Sequence, residues 1–156
     1  MNRREFVGKG SFSVLAVICG ALRSVGQNAT SERHLSYHSG PPTRALPDTL
    51  DPHRFKDDRR AFVAYSLAGR VKPVLYQVPC YCSCNEEYGH ESLLDCFVGL
   101  HGSHCSICQK EAIFSYMNAA DHKSPSYIRS RLAKGELAHF DLDAQVKNFY
   151  ALANGS

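Results

Sequence analysis

The chain has no tryptophan, no long low-complexity tract, no internal repeat and no apolar run long enough to cross a bilayer comfortably. The missing repeat excludes a solenoid. The missing apolar run excludes an ordinary transmembrane helix, which needs about 20 consecutive apolar residues. No segment alternates apolar and polar residues as a strand would. No Ser/His/Asp triad or paired-carboxylate arrangement stands out. What remains is a composition that is 44% hydrophobic with charges of both signs (Lys+Arg 18, Asp+Glu 15), which describes a folded globular chain rather than a disordered one. Its 156 residues suffice for one domain around a single core.

The N-terminus reads as an export signal. Asn2-Arg3-Arg4-Glu5-Phe6-Val7, followed by Lys9, resembles a bacterial twin-arginine leader. Ser11 to Leu22 is a mildly apolar run, too short to span a membrane and suited to the centre of a signal peptide. Residues 1–29 are therefore assigned to a leader, with cleavage near Ala29. Ile18 stands where lipidation of Cys19 would require a small residue. The leader holds Arg3, Arg4, Lys9 and Arg23 against Glu5, so without it the formal charge of +3 falls to about zero. A neutral chain gives no argument for nucleic acid or anionic lipid as a partner. The expected location is the periplasm or the outer face of the cytoplasmic membrane, with no stable membrane span after leader removal. Export brings cysteines into an oxidising compartment. The twin-arginine route, however, carries proteins already folded, often around a cofactor acquired in the cytoplasm.

Residues 30–56 are rich in Ser, Pro and His without periodicity and read as an extended arm. Residues 57–150 are expected to form an all-α domain, a small bundle of four to five short helices with a Cys-rich loop. Asp57 or Asp58 caps the first helix, whose inner stripe is Ala61, Ala64, Tyr65 and Ala68, and Gly69 ends it. Lys72-Pro73 opens a short turn. A second helix is expected over about 90–100, with Leu93, Cys96, Phe97 and Leu100 inward. His101-Gly102-Ser103 should break the chain before a third helix from about His104 to Ala120. Ser124-Pro125 starts a fourth helix, ending near Gly135, and Asp141 caps the last.

The chemistry concentrates in one place. Six of the seven cysteines lie between Cys80 and Cys108, as C-x-C-x-C (Cys80, Cys82, Cys84), a lone Cys96, and C-x-x-C (Cys105, Cys108). If the C-x-C-x-C run is extended, alternate residues share a face and the three sulfurs converge. Local disulfides across C-x-C are strained, and three cysteines cannot all pair among themselves. The same spacing suits thiolates closing on a soft ion, copper(I) or zinc. Cys105 and Cys108 sit one turn apart where a helix begins, which favours thiolate for metal binding or for redox exchange. Gln109 stands where a c-type haem motif needs histidine, the βαβ context of a thioredoxin motif is missing, and the spacing matches neither common ferredoxin pattern. His90 and His104 flank the cysteines and are candidate ligands. Six thiols plus histidine exceed the needs of one tetrahedral zinc and fit two metals, or one metal and one disulfide. Three readings stay open: a soft-metal site, a thiol–disulfide redox protein using Cys105 and Cys108, and a disulfide-stapled interaction module with no chemistry.

Pro79-Cys80-Tyr81-Cys82-Ser83-Cys84, then Gly89-His90 with Ser92-Leu93-Leu94 and Cys96-Phe97, then His104-Cys105, Cys108 and Glu111-Ala112, resemble the bacterial PCYCGC-motif proteins. The resemblance covers roughly residues 45–135 and implies a small exported protein of unknown function. The chain departs from the motif at Ser83, where glycine is usual. The expectation is an exported soft-metal-binding protein, not an enzyme. Its copper or zinc would be held by Cys80, Cys82, Cys84, Cys96, Cys105, Cys108, His90 and His104, with a metal-transfer protein as a possible partner.

Overall fold

The computed structural model of the protein describes residues 35–155, so the leader assigned to residues 1–29 and the start of the arm lie outside the described residues. The described residues are helical and contain no strand. Four helices carry the architecture: α1 (Arg59–Ala68), α6 (Ser106–Ala120), α7 (Pro125–Ala133) and α8 (Leu142–Asn154). Four single-turn helices, α2 (Lys72–Leu75), α3 (Cys84–Tyr88), α4 (Asp95–Val98) and α5 (His101–His104), lie between α1 and α6. Tight 3-10 turns occupy Pro52–Phe55 and Glu136–His139.

The long helices start where their caps dictate. The Asp58 carboxylate accepts the amides of Arg60 and Ala61, Ser124 Oγ accepts that of Tyr127 ahead of Pro125, and the Asp141 carboxylate accepts that of Ala144. Helix α1 is buried on two sides. Ala64, Tyr65 and Ala68 face a main core with Leu75, Val78, Leu93, Leu94, Phe97, Ala112, Ile128 and Leu132. Val63 and Leu67 face a smaller cluster with Ile113, Leu142 and Val146. The predicted stripe of α1 is thus only half of what the helix buries, because α8 covers the other half.

The short helices depart from the expected ones for identifiable reasons. A continuous helix over 90–100 does not form. The Asp95 carboxylate draws in the amides of Glu91 (2.7 Å) and Ser92 (3.1 Å), and the Leu93 amide donates to the Val78 carbonyl (2.8 Å) instead of continuing a helix. Only Asp95–Val98 is helical, and Gly99 then turns extended (φ −109°, ψ −168°). Leu93, Cys96 and Phe97 are buried as expected, but Leu100, beyond that break, is half exposed. His101-Gly102-Ser103 was expected to break the chain and instead forms the turn α5. The breaks fall on either side, at Gly99 and at Cys105, whose backbone is extended. Residues 85–89, expected as a polar turn, belong mostly to α3, closed by Gly89 in the left-handed region (φ +68°).

The arm docks on the domain. Leu46, Leu50 and Phe55 pack against the main core, the Leu50 amide donates to the Phe97 carbonyl (2.9 Å), and His38 stacks on Tyr76 (3.7 Å between ring centres). No helix among the described residues is long and apolar enough to cross a membrane.

Gly102 is the tightest point of the short-helix region. A Cβ there would lie 2.9 Å from Cε1 of Phe97 and 3.0 Å from the Cys96 carbonyl oxygen. Gly102→Ala should therefore push against the buried Phe97 ring and cost about 1–3 kcal/mol. Urea unfolding of the metal-free, reduced protein checks this, and an unchanged midpoint would contradict the packing described.

Candidate metal centre

Three pieces of chain supply the cysteines, and each is fixed by a bond to the scaffold. The first is the loop from Val78 to Cys84. Its Tyr81 amide donates to Oε1 of Glu111 at 2.9 Å, from the middle of α6. Glu111 is fully buried and its second oxygen, Oε2, has no partner. Burial raises the Glu111 carboxyl well above the usual carboxylate range. The loop is not extended. Ser83 takes a left-handed conformation (φ +69°, ψ +17°), which turns the chain so that Cys84 becomes the first residue of α3. The sulfurs of Cys80, Cys82 and Cys84 converge all the same, within 4.8 Å of one another.

The second piece is α4 with Cys96. The buried Tyr65 hydroxyl donates to the Gly99 carbonyl (2.6 Å), and its ring stands edge-on to Phe97 (5.0 Å), holding the end of α4 against α1. The third is the start of α6. Cys105 is the residue before the first turn and Cys108 lies within it. The Gln109 amide donates to the carbonyls of Gly102 (3.1 Å) and Ser103 (3.0 Å), locking α5 to α6 and so His101 to Cys108.

The result is a cluster of sulfurs. Cys80 Sγ lies 3.2 Å from Cys82 Sγ and 3.4 Å from Cys108 Sγ, Cys82 lies 3.6 Å from Cys108, and Cys84 lies 3.5 Å from Cys96. Two ring nitrogens join it: His90 Nδ1 is 3.3 Å from Cys96 Sγ, and His101 Nε2 is 3.3 Å from Cys82 Sγ. All six cysteines are free thiols. Sulfurs tetrahedrally arranged around zinc, with Zn–S near 2.3 Å, sit about 3.8 Å apart. The cluster is slightly tighter than that and far looser than a disulfide, about 2.0 Å. Several sulfurs face more than one partner, whereas a disulfide framework needs exclusive pairs. The donor set is thus of a kind and spacing that a soft transition metal would accept.

Of the residues expected as ligands, the structure brings together the six cysteines and His90. His104 is exposed and belongs to none of the converging donor groups among the described residues. His101, not singled out by the sequence reading, stands in its place. The expected chain break over 101–103 hid it, yet His101, Cys105 and Cys108 follow the i, i+4, i+7 spacing of one helix face. Glu111 was visible only as part of the motif, three residues after Cys108.

The sulfurs polarise one another. Cys105 is lowered to about 5, first by the Cys108 thiol and then, against burial, by the amides of Cys108 and Ile107 at the start of α6. Cys82 is lowered to about 7, mainly by the Cys80 thiol and, against burial, by His101. Cys84 is lowered too, chiefly by Cys80 and Cys96. Cys80 moves up, chiefly through Cys108 and Cys82. Half the thiols thus give up protons early and accept from the other half. Burial works against a charged His101 ring, but contact with Cys82 and the nearby Cys82 and Cys105 charges outweigh it and raise its pKa.

One side of the cluster opens to solvent. A cleft of about 670 Å³ is lined by Tyr88, His90, Leu100, His101, His104, Cys105 and Ile107. The Tyr88 ring lies against both histidines (5.8 Å to His90, 4.9 Å to His101), which cross each other at 5.3 Å.

A family described as proteins of unknown function with a PCYCGC motif matches residues 14–136. The chain belongs to this family. No curated protein and no solved structure matches it. In this PCYCGC-motif protein the motif glycine is Ser83, and the left-handed backbone there supplies the reason for glycine at that position.

Two outcomes are expected. Glu111→Gln keeps an acceptor for the Tyr81 amide, whereas Glu111→Leu removes the Oε1 acceptor from its 2.9 Å bond, so the Leu variant should be less stable than the Gln variant by about 1–3 kcal/mol in urea unfolding. In the metal-free, reduced protein at neutral pH, iodoacetamide should modify the half-buried Cys105 and Cys82 before the buried four. Labelling of Cys82 should slow as pH falls below about 7, while Cys105 stays reactive down to about 5. Peptide mapping of the label reads the order, and first labelling of Cys80 or Cys96 would contradict it.

Proposed function

We propose that this PCYCGC-motif protein binds a soft transition metal, copper(I) or zinc, through the thiolates of Cys80, Cys82, Cys84, Cys96, Cys105 and Cys108 with His90 and His101. The observation that carries this reading is the convergence of six free thiols and two ring nitrogens, from a loop, three one-turn helices and the start of α6, into overlapping donor groups whose atoms lie within 4.8 Å of one another. Thiolate and imidazole select such metals over hard cations. The protein supplies the cage. Glu111 and Gln109 hold the donor-bearing segments from outside, and the main core excludes water from one side of the cluster. The role is metal sequestration, delivery or structural support, without catalysis. The twin-arginine-like leader supports export after folding, into the periplasm or onto the outer face of the cytoplasmic membrane, already loaded. The cleft beside His101 and Cys105 offers a metal-transfer protein a way in. Metal binding stabilises the folded domain further, because an ion ties together three pieces of chain that are otherwise joined at the cluster by a few bonds.

A second reading, thiol–disulfide exchange at Cys105 and Cys108, is favoured by one feature, a C-x-x-C pair at the start of a long helix. It requires a reversible Cys105–Cys108 disulfide with a potential in the range of exchange catalysts.

The full chain, purified from the exported fraction without oxygen, should carry stoichiometric copper or zinc, with thiols titratable only after the metal is removed. A metal-free protein with no free thiols would instead support a disulfide framework. Cys82→Ser should lower both metal content and melting temperature, and unchanged values for both would sink the metal reading.

A further inference from the structure

Resting on the metal-binding reading, we propose that the centre holds two metal ions in two separate Cys3His sets that meet at Cys80. The donors divide on their own. Cys82, His101, Cys105 and Cys108 all lie within 4.8 Å of one another and form a complete set of four. Cys84, His90 and Cys96 form a second group on the same criterion. Cys80 is where they meet: its sulfur touches Cys82 (3.2 Å) and Cys108 (3.4 Å) of the first set and lies within 4.8 Å of Cys84 and of Cys96 in the second. The first set is complete without it, so Cys80 is the fourth donor of the second.

The histidines decide the division. Each aims a ring nitrogen at one sulfur, His101 at Cys82 and His90 at Cys96, both at 3.3 Å. Their rings cross at 5.3 Å and share the Tyr88 ring, so they stand side by side and serve opposite sets. A single tetrahedral ion takes four donors and would leave the other four unused. It would also leave the remaining thiols with no cation in a site where Cys84, Cys96 and Cys108 are no more than 1% exposed. Without a cation such buried thiols would stay protonated, and a second ion gives these converging sulfurs a common partner.

The two sets differ in access. The sulfurs of the Cys80/Cys84/Cys96 set are buried, and this inner ion is retained. Cys82 and Cys105 are half-buried, and Cys105 and His101 line the open cleft, so the outer ion exchanges first.

The test loads the full reduced chain with zinc without oxygen, counts ions by native mass spectrometry, and repeats the loading with cadmium for cadmium NMR. The expected result is two ions and two cadmium resonances. Cys105→Ser and His101→Ala should each remove one resonance, and Cys84→Ser and His90→Ala the other. A chelator should strip the ion lost in Cys105→Ser faster than its neighbour. One ion per wild-type chain overturns the two-set proposal while leaving metal binding intact. So do more than two ions, or variants of both sets removing the same resonance. No bound metal overturns both. Because the wild-type count decides the matter, a variant that fails to fold does not rescue the proposal.

Discussion

Six sulfur atoms crowded into one cluster, several pairs of them in van der Waals contact, constrain everything else in this molecule. Uncharged thiols gain little by such crowding, and thiolates repel. The surrounding fold must therefore impose the arrangement, and it does so with ordinary bonds placed outside the cluster. Tyr65 grips the end of α4 through the Gly99 carbonyl, Gln109 ties α5 to α6, and Glu111 holds the Tyr81 amide. Each of these side chains is buried. Long helices α1 and α6 act as a frame, and the four one-turn helices act as brackets that aim donors inward.

This division of labour explains which parts of the structure were legible in the sequence. The long helices carry caps that read directly: Asp58, Ser124-Pro125 and Asp141 mark three of four starts. Their apolar spacing identifies most inward residues, including Cys108. The one-turn helices are another matter. A single turn has too few residues to show a period, and its boundaries are set by bonds from distant residues. The Leu93 amide leaves a helical path for the Val78 carbonyl, fifteen positions earlier in the chain. Gly102, read as a breaker, is needed for close approach to Phe97.

The same limit governs the donor set. Clustered cysteines announce themselves by spacing alone, and six of them were placed together in sequence before they were placed together in space. Histidines do not. His104 adjoins Cys105 in sequence, yet the turn α5 points it toward solvent and brings His101 to the sulfurs instead. Glu111 lies three residues past Cys108, and its burial depends on a loop that returns from thirty positions earlier. The arm, too, looked detached because Pro and Ser dominate it. Three of its apolar residues, Leu46, Leu50 and Phe55, suffice to dock it.

The left-handed turn at Ser83 gives the motif a second meaning. The positions between its cysteines are not equivalent spacers. Tyr81 supplies an amide, and position 83 supplies a reversal of backbone handedness that lets the third sulfur double back beside the first. A residue's fitness at position 83 should follow its tolerance of positive φ and not its polarity. Glycine and asparagine would fit, serine pays a modest strain, and valine, isoleucine or threonine would be driven out of the turn. The family signature is in this sense part chemistry and part dihedral angle.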